Sequence, residues 1–206
     1  MEHDFSKLIR ADRDLIISII PENSHVLDLG CGDGGLLAEL IERKKVIGRG
    51  FDIDQRNLLC GLERGLSVTL GDLDEGLADY PDKSYDYAIL NQTLQVIKKP
   101  GMVLREMLRI GNYAIVGFPN FGHWLLRWRF LIGGRMPKSD SFPFEWYNTP
   151  NIHPLTIKDF KHYCRSENIT IIREEYLMFG KWRHSLLVNP FANTCAVTGM
   201  FVLKGT

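Results

Sequence analysis

The chain carries no excess of either charge: 25 Lys and Arg balance 25 Asp and Glu across 206 residues. A protein that follows nucleic acid or anionic lipid by bulk electrostatics needs such an excess, so neither partner is expected. Cysteine is scarce and scattered. Cys31, Cys60, Cys164 and Cys195 show no Cys-x-x-Cys spacing, which argues against a thiolate zinc site or a disulfide framework and reads as free thiols in a reducing cytosol. No stretch is long and uncharged enough for a membrane span, and Met1 to Ala11 has charges where a secretory leader needs an apolar core. A soluble cytoplasmic protein is the expectation. Internal repeats, low-complexity tracts and interdomain linkers are also missing, and the length suits one domain, residues 1–206, able to bury a substantial core.

What the chain does have is a glycine loop. Val26-Leu27-Asp28-Leu29-Gly30-Cys31-Gly32-Asp33-Gly34-Gly35 reads as an apolar parallel strand breaking into glycines, and Leu36 to Ile41 then takes up helical spacing. Gly30, Gly32 and Gly35 satisfy G-x-G-x-x-G, whereas Gly30, Gly32 and Gly34 satisfy G-x-G-x-G, so the glycines alone admit several nucleotide cofactors. The flanking charges discriminate. Asp28 and Asp33 place carboxylates where a pyrophosphate wants positive potential and bare amides. S-adenosylmethionine (SAM) has no phosphate and carries an ammonium and a sulfonium, so the same acids attract it.

Taken in order, Phe5 to Ile20 carries a helical stripe of Leu8, Ile9, Leu15, Ile16, Ile19 and Ile20, expected to pack outside a sheet. Val46 to Asp54 is a second strand, and Asp52 at its end stands about twenty residues past the loop, as a ribose ligand does. Asp54 caps a helix from Gln55 to Arg64. Ser67 to Leu70 forms a third strand; Asp72 after it is the candidate for an adenine amino group, while Asp74 and Glu75 read as solvated. Tyr85 to Leu90 is a fourth strand running into Asn91-Gln92-Thr93-Leu94-Gln95, whose amides should face a transferable methyl. Pro100 opens a helix through Ile110, and Tyr113 to Phe118 is strand five. Residues 119–153 are aromatic, proline-rich and weakly periodic, too long for an ordinary connection, and read as a lid or partner-binding insertion with a helix over His123 to Phe130. Thr156 caps a helix through Arg165, Ile169 to Met178 is strand six, and Thr194 to Leu203 returns antiparallel beside it. The expected fold is therefore α/β: a three-layer, doubly wound, mostly parallel seven-stranded sheet whose last strand is antiparallel.

These stretches together resemble the class I SAM-dependent methyltransferase fold and, more narrowly, the methionine biosynthesis protein MetW family. The narrow resemblance rests on the glycine loop, on Gly71-Asp72-Leu73-Asp74-Glu75-Gly76-Leu77, on Asn91 to Gln95, and above all on Phe118-Pro119-Asn120-Phe121-Gly122-His123-Trp124 with Trp146-Tyr147-Asn148-Thr149-Pro150-Asn151-Ile152-His153. Asn148 departs from the more usual Trp-Tyr-Asp. Phe179 to Asn193 holds nothing diagnostic. The resemblance implies a role in methionine biosynthesis, through association with or support of homoserine O-acyltransferase, and a pocket for SAM or S-adenosylhomocysteine. The expected cofactor contacts are Asp28, Gly30, Cys31, Gly32, Gly34, Asp52, Ile53, Asp72, Leu73 and Asn91.

Methyl transfer from a sulfonium needs alignment and exclusion of water more than a base, so a pocket does not by itself establish turnover. Asn91, Gln95, His123 and His153 are the candidates for acceptor-side chemistry, and no metal ligand set is expected. One reading is a SAM-binding partner of the acyltransferase; the other is a free-standing methyltransferase acting on an unidentified small molecule. Arg127, Arg129, Arg135 and Lys138 among aromatics raise RNA binding as a third idea, which the zero net charge disfavours.

Overall fold

A computed structural model describes residues 2–139, 141–178, 181–184 and 191–205, with side chains from Ala11 onward. Its elements are α1 (Glu2–Ile19), β1 (His25–Leu29), α2 (Gly35–Lys44), β2 (Ile47–Asp52), α3 (Gln55–Glu63), β3 (Val68–Leu70), β4 (Tyr85–Asn91), α4 (Pro100–Ile110), β5 (Gly111–Pro119), α5 (Trp124–Gly133), α6 (Ile157–Ser166), β6 (Thr170–Met178), β7 (Lys181–His184) and β8 (Thr198–Lys204). Single 3-10 turns lie at Leu73–Glu75 and Leu94–Val96.

The strands form one sheet in the order β3-β2-β1-β4-β5-β8-β6-β7. The pairs from β3 to β5 are parallel, and β8 inserts antiparallel between β5 and β6. The α/β class and the antiparallel last strand are as expected, but among the described residues the sheet has eight strands instead of seven. The extra strand, β7, extends the edge beside β6. Its Trp182 Nε1 donates to the Ala11 carbonyl at 2.9 Å, tying this edge to α1. The last strand starts at Thr198 rather than Thr194, because residues 191–195 coil into a helical turn first.

Alternation along the strands builds two apolar layers. Val26, Ile89, Ile115 and Met200 face one side, where Ile16 and Ile20 of α1 and Leu36 and Leu40 of α2 cover them. Leu27, Ala88, Leu90, Val116 and Phe201 face the other, against Val103 and Met107 of α4 and Phe160 of α6. Leu8 and Ile9 of the N-terminal stripe lie outside the described side chains.

Local chemistry sets the element ends. Asp54 Oδ1 accepts from the Arg56 amide at 2.8 Å and caps α3. A full capping box opens α6, with Thr156 and Asp159 bonded reciprocally. Asn120, 1% exposed, ties β5 to both later elements: its Nδ2 donates to Asn193 O at 3.1 Å and Ala196 O at 2.8 Å, and its Oδ1 accepts from Gly122 N and Ile157 N. Those four bonds use the whole capacity of a carboxamide.

Candidate functional site

Strand order reverses between β1 and β4, and in open α/β sheets the crevice at that switch is where ligands bind. A cavity of about 870 Å³ opens there, lined by the glycine loop, the end of β4, the face of α1 and the 119–153 segment. Its size suits a cofactor with room beside it.

The loop leaves β1 on hydrogen bonds to the next strand. Gly30 N and Cys31 N donate to Phe51 O at 2.7 and 3.1 Å, and Gly32 N donates to Asp52 Oδ2 at 2.8 Å. Gly30 and Gly32 take φ of +71° and +56°, which disfavours any side chain. They differ in surroundings: a Cβ on Gly30 would meet Thr93 Oγ1 at 2.5 Å, whereas one on Gly32 would meet nothing within 4 Å. Gly30 is held tight by the fold. Gly32 borders open space.

The acids near the loop divide in their tasks. Asp28 lines the cavity while only 3% exposed, and its pKa is raised to about 7, first by burial, then by the nearby Asp52, against a lowering by Arg13. A cation beside it would favour its charged form. Asp33 is occupied otherwise, accepting from Gly35 N at 3.0 Å and pairing with Arg64 at 2.8 Å and Arg13 at 3.6 Å. Its contribution to the attraction expected for a cationic ligand is thus largely neutralised by two guanidinium groups. Asp52 Oδ1 accepts from Asp54 N at 2.9 Å and Asn57 Nδ2 at 3.1 Å. With Oδ2 taken by Gly32, about one lone-pair site remains on Asp52.

Cys31 lines the cavity, and burial, then Asp28 and Asp52, push its thiol up to about 12, so it is no nucleophile near neutrality. Gly34 caps α2 in the left-handed region at φ 75°. Ile53 is 67% exposed beyond β2, and Leu73 is buried. Asp72 lies apart from the loop, on a second groove of about 620 Å³ shared with Gly71, Leu77 and Tyr80. One of its oxygens caps the following 3-10 turn through Asp74 N at 2.8 Å. Asp74 is not merely solvated: its carboxylate accepts from Lys98 N at 3.0 Å and Lys99 N at 2.6 Å.

Of the acceptor-side candidates, Asn91 and Gln95 line the large cavity. The two histidines do not. His123 Nδ1 accepts from Leu125 N at 3.3 Å as the cap of α5, and burial holds its pKa below the usual value. His153 lines a separate small pocket beside Leu94, Leu104 and Phe160.

The 119–153 segment has two sides. Arg129, Lys138, Ser139, Ser141, Pro143 and Phe144 reach the cavity. Trp128, Leu131, Ile132 and Trp146 do not, and stand exposed. Helix α5 runs on to Gly133, past the Phe130 expected, and ends on Gly134 at φ 58°. Two polar cavity residues come from α1, where no site was expected: Asp12 and Arg13. The signal for Asp12 was present, since it sits three to four residues from both Leu8 and Ile9 and Leu15 and Ile16, in the middle of an apolar stripe.

Among solved structures, the chain superposes on a SAM-dependent methyltransferase of Thermotoga maritima at TM-score 0.71 and 18% identity, covering 99% of this chain and 91% of that one. Another, from Archaeoglobus fulgidus, gives TM-score 0.66 and 16% identity over 99% of both chains. These likenesses establish the fold. In sequence, the chain is 40% identical over 177 residues to the bifunctional methionine biosynthesis protein MetXA/MetW of Rhodopirellula baltica. That match takes in 82% of this chain and 28% of the relative's length. The family model of the methionine biosynthesis protein MetW matches residues 10–203, and the chain belongs to that family.

Proposed function

We propose that this protein holds SAM or S-adenosylhomocysteine in the β1/β4 crevice and supports homoserine O-acyltransferase in methionine biosynthesis by docking through the outer side of residues 119–153. The observation that carries the docking is the division of that segment: its inner residues close the cavity, while Trp128, Leu131, Ile132 and Trp146 are exposed on residues the cavity does not use. Exposed Trp beside Arg is the composition of an interface centre. The Rhodopirellula baltica relative, whose name joins MetXA and MetW in one chain, supports the same association.

The cavity fits the cofactor. Gly32 leaves a space that any Cβ would fill, and Asp28 offers a buried carboxyl to a cationic group. Asp52 would take a ribose hydroxyl on its remaining lone pair; a second hydroxyl would displace the Asn57 amide. Gly30, Cys31 and Asn91, on the cavity wall, would frame the rest, whereas Gly34, Ile53, Leu73 and Asp72 stand off that wall, Asp72 on the neighbouring groove. When bound, the cofactor supplies an electrophilic methyl on a sulfonium. The chain's part is to orient an acceptor beside Asn91 and Gln95 and to exclude water with the 119–153 segment.

Methyl transfer to a small molecule is the second reading, favoured by the extent of the cavity past the glycine loop to Asp12 and Gln95. A co-purification assay with the acyltransferase, run with calorimetric S-adenosylhomocysteine binding on the same samples, tests the proposal. Capture of the acyltransferase together with cofactor binding supports it. A chain that binds the cofactor but never the acyltransferase stands as the free methyltransferase instead.

A further inference from the structure

The lining of the large cavity holds polar side chains that lie outside the glycine loop. Asp12 stands on α1 with 1% exposure, and Gln92 Nε2 donates to its Oδ2 at 2.9 Å. Its other oxygen, Oδ1, is buried without a hydrogen-bond partner. Gln95 donates from Nε2 to the Gln92 carbonyl at 2.8 Å, and its Oε1 is equally buried and unpartnered. Ser141, from the covering segment, adds an unpartnered hydroxyl. All four residues line the cavity.

The chemistry of this set is one-sided. Among the described cavity-lining side chains, every buried atom left without a partner is an acceptor oxygen or a hydroxyl, and none is a nitrogen donor. Burying carboxylate and carboxamide oxygens without donors is unfavourable, so a folded chain keeps such a set where something else brings the donors. Asp28 lies at the glycine loop and is available to the cationic head of the cofactor. Asp12 is a second carboxylate, on another element, with no such occupant.

We propose that Asp12, Gln95 and Ser141 form a subsite for the amino group of a small primary amine, bound beside the cofactor. The proposal deepens the reading of the crevice as a SAM site and rests on it for the neighbouring occupant. A protonated amine brings three N–H donors and a positive charge, matching one carboxylate and two neutral acceptors. A carboxylate ligand would add acceptors to acceptors. A hydroxyl brings one donor and leaves the charge of Asp12 unanswered. Burial holds the Asp12 pKa up at about 7 against the lowering effect of the Gln92 and then the Asn91 carboxamide, and a cation placed opposite it would draw it down. Arg129 also lines the cavity and offers a guanidinium to an amine that carries an acid at its other end.

The experiment titrates butylamine, butyrate and 1-butanol at equal ionic strength into the protein saturated with S-adenosylhomocysteine, by calorimetry and thermal shift. Butylamine should bind and raise the melting temperature, with butyrate and butanol inert. Asp12→Asn, which keeps size and removes charge, should weaken butylamine at least about tenfold while S-adenosylhomocysteine affinity stays within about twofold. Gln95→Leu should weaken the amine severalfold with no change of charge, which covers the case of a misfolded Asp12 variant. Equal binding of butanol and butylamine would overturn the subsite. So would an Asp12→Asn chain that loses the cofactor as strongly as the amine, since Asp12 would then belong to the cofactor. If wild type does not bind S-adenosylhomocysteine, the cofactor reading fails on its own, and the same butylamine series on the unliganded chain still decides the amine subsite.

Discussion

The backbone amide of Gly32 donates to Asp52 Oδ2 at 2.8 Å, joining the glycine loop after β1 to the acid at the end of β2. The two strands are parallel neighbours, with Leu29 opposite Phe51, so loop and acid are set at one height by sheet register alone. A carboxylate placed this way fixes the loop, and the proposed cofactor site gives its remaining lone pair to a ribose hydroxyl. The first prediction follows: Asp52→Ala weakens S-adenosylhomocysteine by about ten- to hundredfold, the scale of a lost hydrogen bond to a charged group plus a loosened loop, as read by calorimetry. Unchanged affinity would remove Asp52 from the site.

Gly32 and Gly30 separate by what surrounds them. Gly32→Val should abolish cofactor binding while circular dichroism stays near wild type and the melting transition falls only by the backbone strain of a branched residue at φ +56°, about 1–3 kcal/mol, because open space receives the side chain. Gly30→Val should lower stability itself, because its Cβ drives into Thr93. Equal unfolding of both variants would mean that Gly32 serves the fold first.

Burial pushes the Asp12 and Asp28 carboxyls up to about 7 in the folded chain, well above the ordinary carboxylate range. Between roughly pH 4 and pH 7 the folded state keeps protons that the unfolded state has released, so these groups make stability fall as pH rises through that window and add no slope above it. The slope is at most about 1.4 kcal/mol per pH unit for each group. Asp54 and Glu106, held low by Arg56 and Arg109, act in the opposite sense, and only below the ordinary carboxylate range. Urea midpoints at about pH 5 and pH 8 should therefore differ less in Asp12→Asn than in wild type. A larger difference in the variant would contradict the burial assigned to Asp12.

Asn120→Ala should destabilise the fold by on the order of 3 kcal/mol in urea unfolding, since it strips four partners and leaves two carbonyls and two amides unsatisfied in the interior. A change near zero would show that water replaces the carboxamide.

The sheet was legible because its strands are apolar runs bounded by Gly, Pro and Asp, and Asp54 and Thr156 announced their helices by position. What escaped had physical reasons. Lys181-Trp182-Arg183-His184 forms an edge strand that buries little, so β7 shows no apolar alternation to read. The charge of Asp33 looked free because Arg64 and Arg13, its partners, are remote in sequence. Asp12 interrupts an apolar stripe, yet its role appears only once Gln92 is folded against it, 80 positions away. His123 and His153 are chemistry-bearing residue types in an aromatic stretch. Folding turns one into a helix cap and seats the other in a separate pocket.

Trp128 tests the central claim most directly, being 56% exposed on α5 and absent from the cavity wall. The measurement is a calorimetric titration of homoserine O-acyltransferase into wild type and Trp128→Ala, each also titrated with S-adenosylhomocysteine. Loss of a Trp anchor should weaken the complex by about thirtyfold, on the order of 2 kcal/mol, with cofactor affinity unchanged. An intact complex combined with lost cofactor affinity would make the segment a lid alone and contradict the docking account.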